Sequence, residues 1–268
     1  MPRESAWGRA LWFPVNLVQG VYTALWTAGL VPVALGANLL ARSNRPAVAM
    51  ARRLWAPGLL TGAGARLSVC GLERLDLGRP YFFVANHSSW IDIPALFRAL
   101  PVELRFLAKR ELARVPLLGR YIRAMGMVFI DRDDSRRASR SVGAAADLLR
   151  EGHCVLSFPE GTRSRDGRLG RFKTGGFGAP IETGVAVVPV AILGAGAVLP
   201  ADGFRVRPGR IEVRFGDPIP PPPPGPHARA QLARCAEVAV AALLGAPGDA
   251  AVPSCEDRTD GESRRLPP

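Results

Sequence analysis

The sequence is poor in the residues that build metal centres. It has only four cysteines and three histidines among 268 residues. These residues are Cys70, Cys154, Cys235, Cys255, His87, His153 and His227. No two cysteines form a C-x-x-C pair, and the histidines lie far apart. This distribution argues against a zinc-type or multi-histidine site, so we predict neither a metal nor a resident cofactor.

The chain also lacks a G-x-S-x-G segment, the usual setting of a nucleophilic serine in α/β enzymes. Lysine is nearly absent, because two of the 35 basic residues are lysine and the other 33 are arginine. The formal net charge of +12 suits an anionic membrane surface, a phosphate-bearing substrate or nucleic acid. Since the chain contains no recognisable nucleic-acid-binding module, we predict no nucleic-acid partner.

Residues 10–41 carry no charge. As one helix these 32 residues would be about 48 Å long, against a hydrocarbon core of roughly 30 Å. The segment could span a membrane once. Its prolines and glycines equally allow a bent pair of helices in one leaflet, and a buried core helix is the third possibility. Because arginines flank both ends, we expect attachment to the cell membrane with the rest of the chain on the cytoplasmic side.

Beyond the apolar segment, predicted strands alternate with predicted helices. We predict strands at Arg66–Gly71, Tyr81–Ala85, Arg105–Ala108, Met127–Asp131, Cys154–Phe158, Val187–Leu193 and Ile211–Phe215. We predict helices at Ile93–Leu100, Pro116–Met125, Ser135–Glu151, Gly176–Thr183 and Ala228–Leu244. This alternation indicates an α/β domain with a largely parallel or mixed sheet.

The segment Asn86–Asp92 lies between a predicted strand and a predicted helix. Five residues along a continuous helix would rotate a side chain by roughly 500°. His87 and Asp92 can therefore meet only if His87 lies in the turn and Asp92 at the helix mouth. A histidine held by a carboxylate can act as a general base towards a substrate hydroxyl. The alternative interpretation is that Asp92 only caps the helix and His87 is an ordinary turn residue.

Three further segments also follow or lie within predicted strands. Gly126–Arg132 ends in an arginine that can meet an anion where the strand ends. Phe158–Ser164 combines a proline turn with Arg163, whose fork suits phosphate, and with Glu160, which could hold that fork or bind a substrate hydroxyl. Val188–Val190 has proline inside a strand, which predicts an edge strand or a bulge.

Taken together, these segments resemble the four motifs of the glycerolipid acyltransferase superfamily, in the same order along the chain. The most similar type is 1-acyl-sn-glycerol-3-phosphate acyltransferase. The matching strings are N-H-x-S-x-x-D at 86–92, G-x-x-F-I-x-R at 126–132, F-P-E-G-T-R-S at 158–164 and V-P-V at 188–190. The resemblance implies an α/β acyltransferase domain with a central mixed sheet flanked by helices, preceded by the membrane-attaching helical segment.

We accordingly predict three regions: a membrane-binding segment at 1–60, an acyltransferase domain at 61–245 and a disordered tail at 246–268. The resemblance implies that His87 is the general base and that Asp92 orients it. It also implies a binding site for the substrate head group, formed by Lys109, Arg132, Glu160, Gly161, Thr162 and Arg163.

The function implied by the resemblance is lysophospholipid acylation. A fatty acyl group would move from an acyl-CoA or acyl carrier protein thioester to the sn-2 hydroxyl of 1-acylglycerol-3-phosphate, making phosphatidate. Donors near the first motif, among them backbone N–H groups, would stabilise the oxyanion. Two alternatives stay open: acylation of another lyso-lipid such as lyso-ornithine lipid, and a catalytically dead, membrane-attached lipid-binding protein. The expected partners are the lyso-lipid, the thioester donor and the membrane surface.

Overall fold

The computed structural model describes residues 6–115, 118–130 and 135–245 of the chain. Seven strands form one sheet in the order β1-β7-β6-β2-β5-β3-β4. The strands are β1 (Ala65–Cys70), β2 (Phe82–Ala85), β3 (Leu104–Lys109), β4 (Val128–Ile130), β5 (Cys154–Ser157), β6 (Val187–Leu193) and β7 (Gly209–Phe215). All seven predicted strands are present, with boundaries that differ by two residues or fewer.

The sheet is mixed, as predicted. Strands β6, β2, β5, β3 and β4 are mutually parallel, whereas β7 runs antiparallel to β6 and carries β1 parallel to itself. The carboxyl ends of the five parallel strands therefore lie at one edge of the sheet. Three of the four sequence motifs contain or follow the ends of β2, β4 and β5, so the topology brings them to this edge.

Helices cover both faces of the sheet. They are α1 (Ala6–Ala41), α2 (Arg45–Met50), α3 (Ala56–Gly62), α4 (Asp92–Ala99), α5 (Leu118–Ala124), α6 (Ser135–Arg150), α7 (Gly178–Thr183), α8 (Ala195–Val198) and α9 (Ala228–Gly245). Because side chains alternate along a strand, Phe83 joins one core beside α1–α5, while Phe82 joins another beside α6, α7 and α9. The two cores make the domain a three-layer α/β structure.

The proline in β6 does not mark an edge strand, which corrects half of the prediction made for Val188–Val190. Strand β6 lies inside the sheet, between β2 and β7. Pairing with the chain after β7 steps from Val190–Phe215 to Val187–Ile219, so four residues oppose three at this point. This is a β-bulge, and Pro189 lies in it. The missing N–H of Pro189 therefore interrupts no regular ladder bond.

The apolar N-terminal segment forms one continuous helix, α1, rather than a bent pair. At 36 residues it is about 54 Å long. It runs antiparallel to the segment formed by α2, a five-residue π-helical turn and α3. Tyr22 Oη donates to the carbonyl of Gly58 (3.1 Å), and Trp26 Nε1 donates to that of Trp55 (3.3 Å). A Cβ on Gly58 or Gly62 would overlap these aromatic rings, so glycine allows the close packing of the two helices.

The opposite side of α1 is exposed and apolar. Its exposed large side chains include Phe13, Leu17, Val18, Val21, Leu25, Val33, Leu39 and Leu40. By length and composition, Trp12–Ala41 could cross a membrane. One side of α1 is thus hydrogen-bonded to the domain, and no described residue packs over its exposed apolar side. This arrangement suggests membrane association through α1.

Some predictions fall on residues that the structure does not describe. These are the start of the helix predicted at Pro116, the residue Arg132 and the disordered tail at 246–268. The boundary predicted at residue 60 falls within α3, so the division into regions at that point stays a prediction. The helix predicted from Gly176 begins as a 3₁₀ turn, Gly175–Phe177, and becomes α-helical at Gly178.

Candidate active site

His87 is the second residue after β2, and its position is set by the residue before it. The Asn86 side chain continues the sheet: its Nδ2 donates to the carbonyl of Ile192 (2.9 Å), and its Oδ1 accepts from the N–H of the same residue (2.7 Å). Both bonds are buried. Asn86 therefore fixes the end of β2 to β6 and places His87 at the carboxyl edge of the parallel strands.

The imidazole of His87 is held by a buried carboxylate. Asp92 is the first residue of α4 and is fully buried. The distance from His87 Nδ1 to Asp92 Oδ2 is 2.8 Å, which confirms the expected contact. Because an ionised carboxylate only accepts, Nδ1 carries the proton and Nε2 keeps its lone pair. The histidine is thereby in the tautomer that a general base requires.

Asp92 does not cap the helix that it begins. No side-chain cap bond is made at the start of α4 among the described residues. Instead, Oδ2 accepts the backbone N–H groups of Ser88 and Ser89, each at 2.8 Å. The carboxylate thus orders the turn that carries the histidine as well as the histidine itself. The capping interpretation of Asp92 is wrong.

The two serines of the motif do not form a nucleophile with His87. Ser89 is fully buried, and its hydroxyl donates to the carbonyl of Leu199 (2.5 Å) and accepts from the N–H of Ile91 (3.1 Å). Within the described part of the chain, the His87 ring has its hydrogen bond with Asp92 rather than with a serine. The hydroxyl on which a base could act must therefore come from a substrate.

The segment Phe158–Ser164 is bonded directly to the histidine turn. Strands β2 and β5 are parallel neighbours, so the residues that follow them lie side by side. The Phe158 ring stacks on the imidazole of His87, with centroids 4.0 Å apart and planes 17° apart. The backbone N–H of Ser164 donates to the His87 carbonyl (2.7 Å). The two motifs are thus joined both by ring stacking and by a bond between backbone groups.

Glu160 makes a further link between these motifs. Its Oε1 accepts the N–H of His87 (2.7 Å), and its Oε2 accepts the N–H of Gly170 (2.8 Å). Burial raises the pKa of the Glu160 carboxyl, and the two backbone N–H groups oppose that rise. Glu160 thus stabilises the backbone of the histidine turn. Its two oxygens accept from these N–H groups rather than from the Arg163 guanidinium.

Arg163 lies beside Trp90, a residue that was not predicted to belong to the site. The guanidinium carbon is 4.4 Å from the centre of the indole ring, a cation–π contact. Its Nη1 is buried and has no hydrogen-bond partner among the described residues. The arginine is therefore held in place by stacking, and its planar fork is of the kind that binds an anion. The sequence held a signal for these ring contacts, since two of the motifs include an aromatic residue: Trp90, which contacts Arg163, and Phe158, which stacks on His87.

Of the other predicted head-group residues, two lie in the same turn as Arg163 and one lies at a neighbouring strand end. Gly161 has a φ of +83°, which glycine adopts without strain, and Thr162 next to it is exposed. Lys109 ends β3, the neighbour of β5, so it lies at the same edge of the sheet. Its ammonium group contacts Glu111 at 3.1 Å and is well exposed. Arg132 lies outside the described residues.

The fold and the motifs define an acyltransferase domain. The family model described as Acyltransferase matches residues 66–193, which include the first three motifs and the V-P-V strand. The chain is 26% identical to a solved 1-acyl-sn-glycerophosphate acyltransferase, PlsC, from Thermotoga maritima. That structure superposes with a TM-score of 0.70 over 86% of this chain and 95% of the other.

Curated relatives narrow the class to one family. A 1-acyl-sn-glycerol-3-phosphate acyltransferase of Pseudomonas aeruginosa is 34% identical over 186 residues, covering 68% of this chain and 70% of the relative. The chain belongs to the 1-acyl-sn-glycerol-3-phosphate acyltransferase family. A chloroplastic member from Arabidopsis thaliana is 36% identical over 156 residues, which cover 58% of this chain. The chain therefore matches less than half of the length of that plant protein, 44% of it.

Proposed function

We propose that this protein transfers a fatty acyl group from a thioester to the sn-2 hydroxyl of 1-acylglycerol-3-phosphate. The products are phosphatidate and a free thiol. The observation that carries the proposal is the His87–Asp92 contact of 2.8 Å at the same sheet edge as Arg163. Family membership supports the same reaction, since the relatives are named for this acyl transfer.

In the proposed reaction, His87 Nε2 takes the proton of the acceptor hydroxyl. The oxygen forms a bond to the thioester carbonyl carbon, and the resulting tetrahedral intermediate expels the thiolate. The imidazolium returns its proton to the departing sulfur. Asp92 stabilises the imidazolium and keeps the ring in the required tautomer. General-base assistance of this kind contributes about 10²–10⁴ in rate. The two substrates alone balance this reaction, so the proposal includes no cofactor.

Three backbone N–H groups of the turn that carries His87 are already bonded and are not free to stabilise the oxyanion. The N–H of His87 is bonded to Glu160, and those of Ser88 and Ser89 are bonded to Asp92. The donors that we expect near the first motif are therefore groups other than these three.

The acceptor phosphate is assigned to the basic groups around the histidine. Arg163 is half-buried and stacked on Trp90 beside the histidine turn, and Lys109 is exposed at the adjoining strand end. Arg132 belongs to the same proposed site through the motif in which it occurs. Gly161 and Thr162 belong to the turn that presents Arg163, while the observed bonds of Glu160 indicate that it positions this turn.

The acceptor is a membrane lipid, so the proposed site must work at a membrane surface. The exposed apolar side of α1 would enter the membrane, and the excess of arginine would favour its anionic head groups. We propose the cell membrane as the location, with the catalytic domain on the cytoplasmic side. Acyl-CoA and acyl carrier protein are both suitable donors there.

A panel of acceptors and donors tests the proposal directly. Purified protein in mixed micelles would be given lysophosphatidate, lyso-ornithine lipid or another lysophospholipid, each with acyl-CoA and with acyl carrier protein. We expect phosphatidate formation to be the fastest reaction. The His87→Ala variant should lose about 10²–10⁴ in kcat. His227→Ala is the matched control, because His227 is exposed and distant in sequence from the motifs. Activity of His87→Ala near the normal rate would contradict the base assignment.

A further inference from the structure

Asn16 is a polar residue in the apolar helix α1, and its side chain is bonded to a distant part of the chain. Its Oδ1 accepts the backbone N–H of Val206 (2.8 Å) and a second bond from Arg207 Nη1 (3.4 Å). Its Nδ2 donates to the carbonyl of Trp12 (2.9 Å), one turn earlier in the helix. The Arg207 guanidinium carbon lies 4.2 Å from the centre of the Trp12 ring. A polar side chain on an apolar helix is costly unless it is bonded, so these contacts stabilise asparagine at this position.

The distant partners of this side chain belong to the connector, which we define as residues 194–208 between β6 and β7. Within the connector, the N–H of Arg207 donates to the carbonyl of Val198 (2.9 Å), the last residue of α8. Val198 is fully buried. A Cβ on Gly20 of α1 would lie 3.5 Å from the ring of Phe204, so helix and connector are also in van der Waals contact. The connector is therefore closed by an internal bond and packed against α1.

The connector is also bonded to the turn that carries His87. Ser89 is fully buried, and its hydroxyl donates to the carbonyl of Leu199 (2.5 Å), the residue that follows α8. The backbone N–H of Ser89 donates to Asp92 Oδ2 (2.8 Å), the same oxygen that contacts the imidazole. Ser89 thus joins the connector to the carboxylate that holds the proposed base.

A continuous series of hydrogen bonds therefore runs from α1 to the base. Its members, joined through neighbouring residues of the connector, are Asn16–Val206, Arg207–Val198, Leu199–Ser89, Ser89–Asp92 and Asp92–His87. Resting on the proposed function, we propose that Asn16 and Ser89 are positioning residues for the acyl transfer, which hold the His87–Asp92 pair through the connector. Helix α1 is then part of the framework of the active site as well as a membrane contact.

Asn38 offers a matched comparison in the same helix. Its Nδ2 donates to the carbonyl of Ala124 (2.7 Å), and its Oδ1 accepts the N–H of Ala47 (2.9 Å). Ala124 ends α5, just before β4 begins, whereas the connector follows the carboxyl end of β6. Asn38 therefore fixes α1 near the amino edge of the parallel strands, away from the base. Loss of either asparagine removes bonds of the same kind, but only loss of Asn16 should affect the histidine turn.

Asn16→Ala removes the acceptor for the N–H of Val206. We expect kcat for phosphatidate formation to fall about ten- to a hundredfold, because a small displacement of a catalytic group has an effect of this size. The KM values for lysophosphatidate and acyl-CoA should change little, since the Asn16 side chain bonds the connector rather than the head-group residues. Flotation with anionic vesicles should be normal, because alanine keeps the helix apolar. A normal kcat, or an equal fall of kcat in Asn38→Ala, would overturn the inference.

Asn16→Asp tests which bond matters. The aspartate keeps an acceptor for Val206 and can pair with Arg207, but it cannot donate to the carbonyl of Trp12. The kcat of this variant should therefore stay close to normal. A fall as large as that of Asn16→Ala would overturn the assignment of the role to the bond with Val206.

A double-mutant cycle tests whether Asn16 and Ser89 act through the same connector. Ser89→Ala leaves the carbonyl of Leu199 without its bond and should itself lower kcat. Substitutions within one network have non-additive effects, whereas independent sites add. The double variant Asn16→Ala/Ser89→Ala should therefore lose clearly less than the product of the two single losses in kcat. Asn38→Ala/Ser89→Ala should lose the full product. Independent losses for the first pair would overturn the connector as the link.

Hydrogen exchange separates this inference from the proposed function, because it requires no substrate. In Asn16→Ala, the backbone amides of the connector and of Ser88 and Ser89 should exchange faster than in the original protein. In Asn38→Ala, faster exchange should be confined to the surroundings of Ala47 and Ala124. Faster exchange of the histidine turn in Asn16→Ala would support the inference even if lysophosphatidate proved to be the wrong acceptor. Unchanged exchange there would overturn the inference while leaving the acyl transfer reaction standing.

Discussion

Replacing Asp92 by asparagine should remove the charge beside His87 while preserving the geometry of the turn. Asp92 Oδ2 accepts from His87 Nδ1, Ser88 N and Ser89 N, each at 2.8 Å. The two backbone donors require an oxygen at that position, so they should orient the new amide with its oxygen towards the imidazole. His87 would keep its tautomer, and the variant would test the carboxylate charge alone.

The size of the effect follows from the electrostatic contact. An opposite charge close to a forming imidazolium is worth on the order of 4 kcal/mol at an effective dielectric constant near 20. That energy corresponds to about 10³ in rate, within the range of about 10²–10⁴ for general-base catalysis. We therefore expect Asp92→Asn to lower kcat about 10²- to 10³-fold. KM values for both substrates should change little, because Asp92 is fully buried.

The assay is steady-state formation of phosphatidate from lysophosphatidate and acyl-CoA in mixed micelles. The thermal midpoint of the purified variant would be measured alongside, since the amide NH2 replaces Oδ1, an atom that is buried without a hydrogen-bond partner among the described residues. A variant that is folded and retains more than about one tenth of the normal kcat would refute the charge argument. A large rise in KM with normal kcat would equally refute it.

Three further substitutions test the head-group arginine, the carboxylate bonded to the histidine turn and the exposed side of α1. Arg163→Lys keeps the positive charge but loses the planar guanidinium and its contact with Trp90. The KM for lysophosphatidate should therefore rise about tenfold. The KM for a lyso-lipid without a phosphate should stay unchanged. Glu160→Gln should lower kcat more than it changes KM, because one backbone N–H then faces an amide donor. Since burial raises the pKa of Glu160, the stability that its carboxyl contributes is greatest below the ordinary glutamate pKa and falls as the pH rises through the raised value. The difference in thermal midpoint between the original protein and Glu160→Gln should therefore shrink as the pH rises from the ordinary glutamate pKa through the raised pKa of Glu160. Finally, Leu25→Glu on the exposed side of α1 should weaken flotation with anionic vesicles, whereas Leu77→Glu, exposed in a loop, should not.

The secondary structure was largely predictable because its signals are local. Apolar runs such as Val187–Leu193 identified the strands, and polar turns separated them from the helices. Of the two interpretations given for Pro189, an edge strand or a bulge, the edge strand is wrong because β6 lies inside the sheet. A bulge in the chain after β7 accommodates the proline, and that bulge depends on pairing between segments more than twenty residues apart.

The roles of side chains within the motifs were less predictable. A carboxylate in a strand-end loop can bind a cation, a substrate or the backbone, and the sequence does not distinguish these partners. Glu160 bonds the N–H of His87, 73 positions away in sequence. The contact between Arg163 and Trp90 likewise depends on two loops that follow neighbouring parallel strands.

The sequence by itself determined the alternation of strands and helices, the apolar N-terminal segment and the His87–Asp92 pairing. The reason is that each depends on composition or spacing over a short stretch. Only the tertiary structure decided that α1 lies against the domain with one side exposed, and that Glu160 binds the backbone of the histidine turn. These features arise where distant segments pack, and their geometry is set by the sheet order rather than by any one motif.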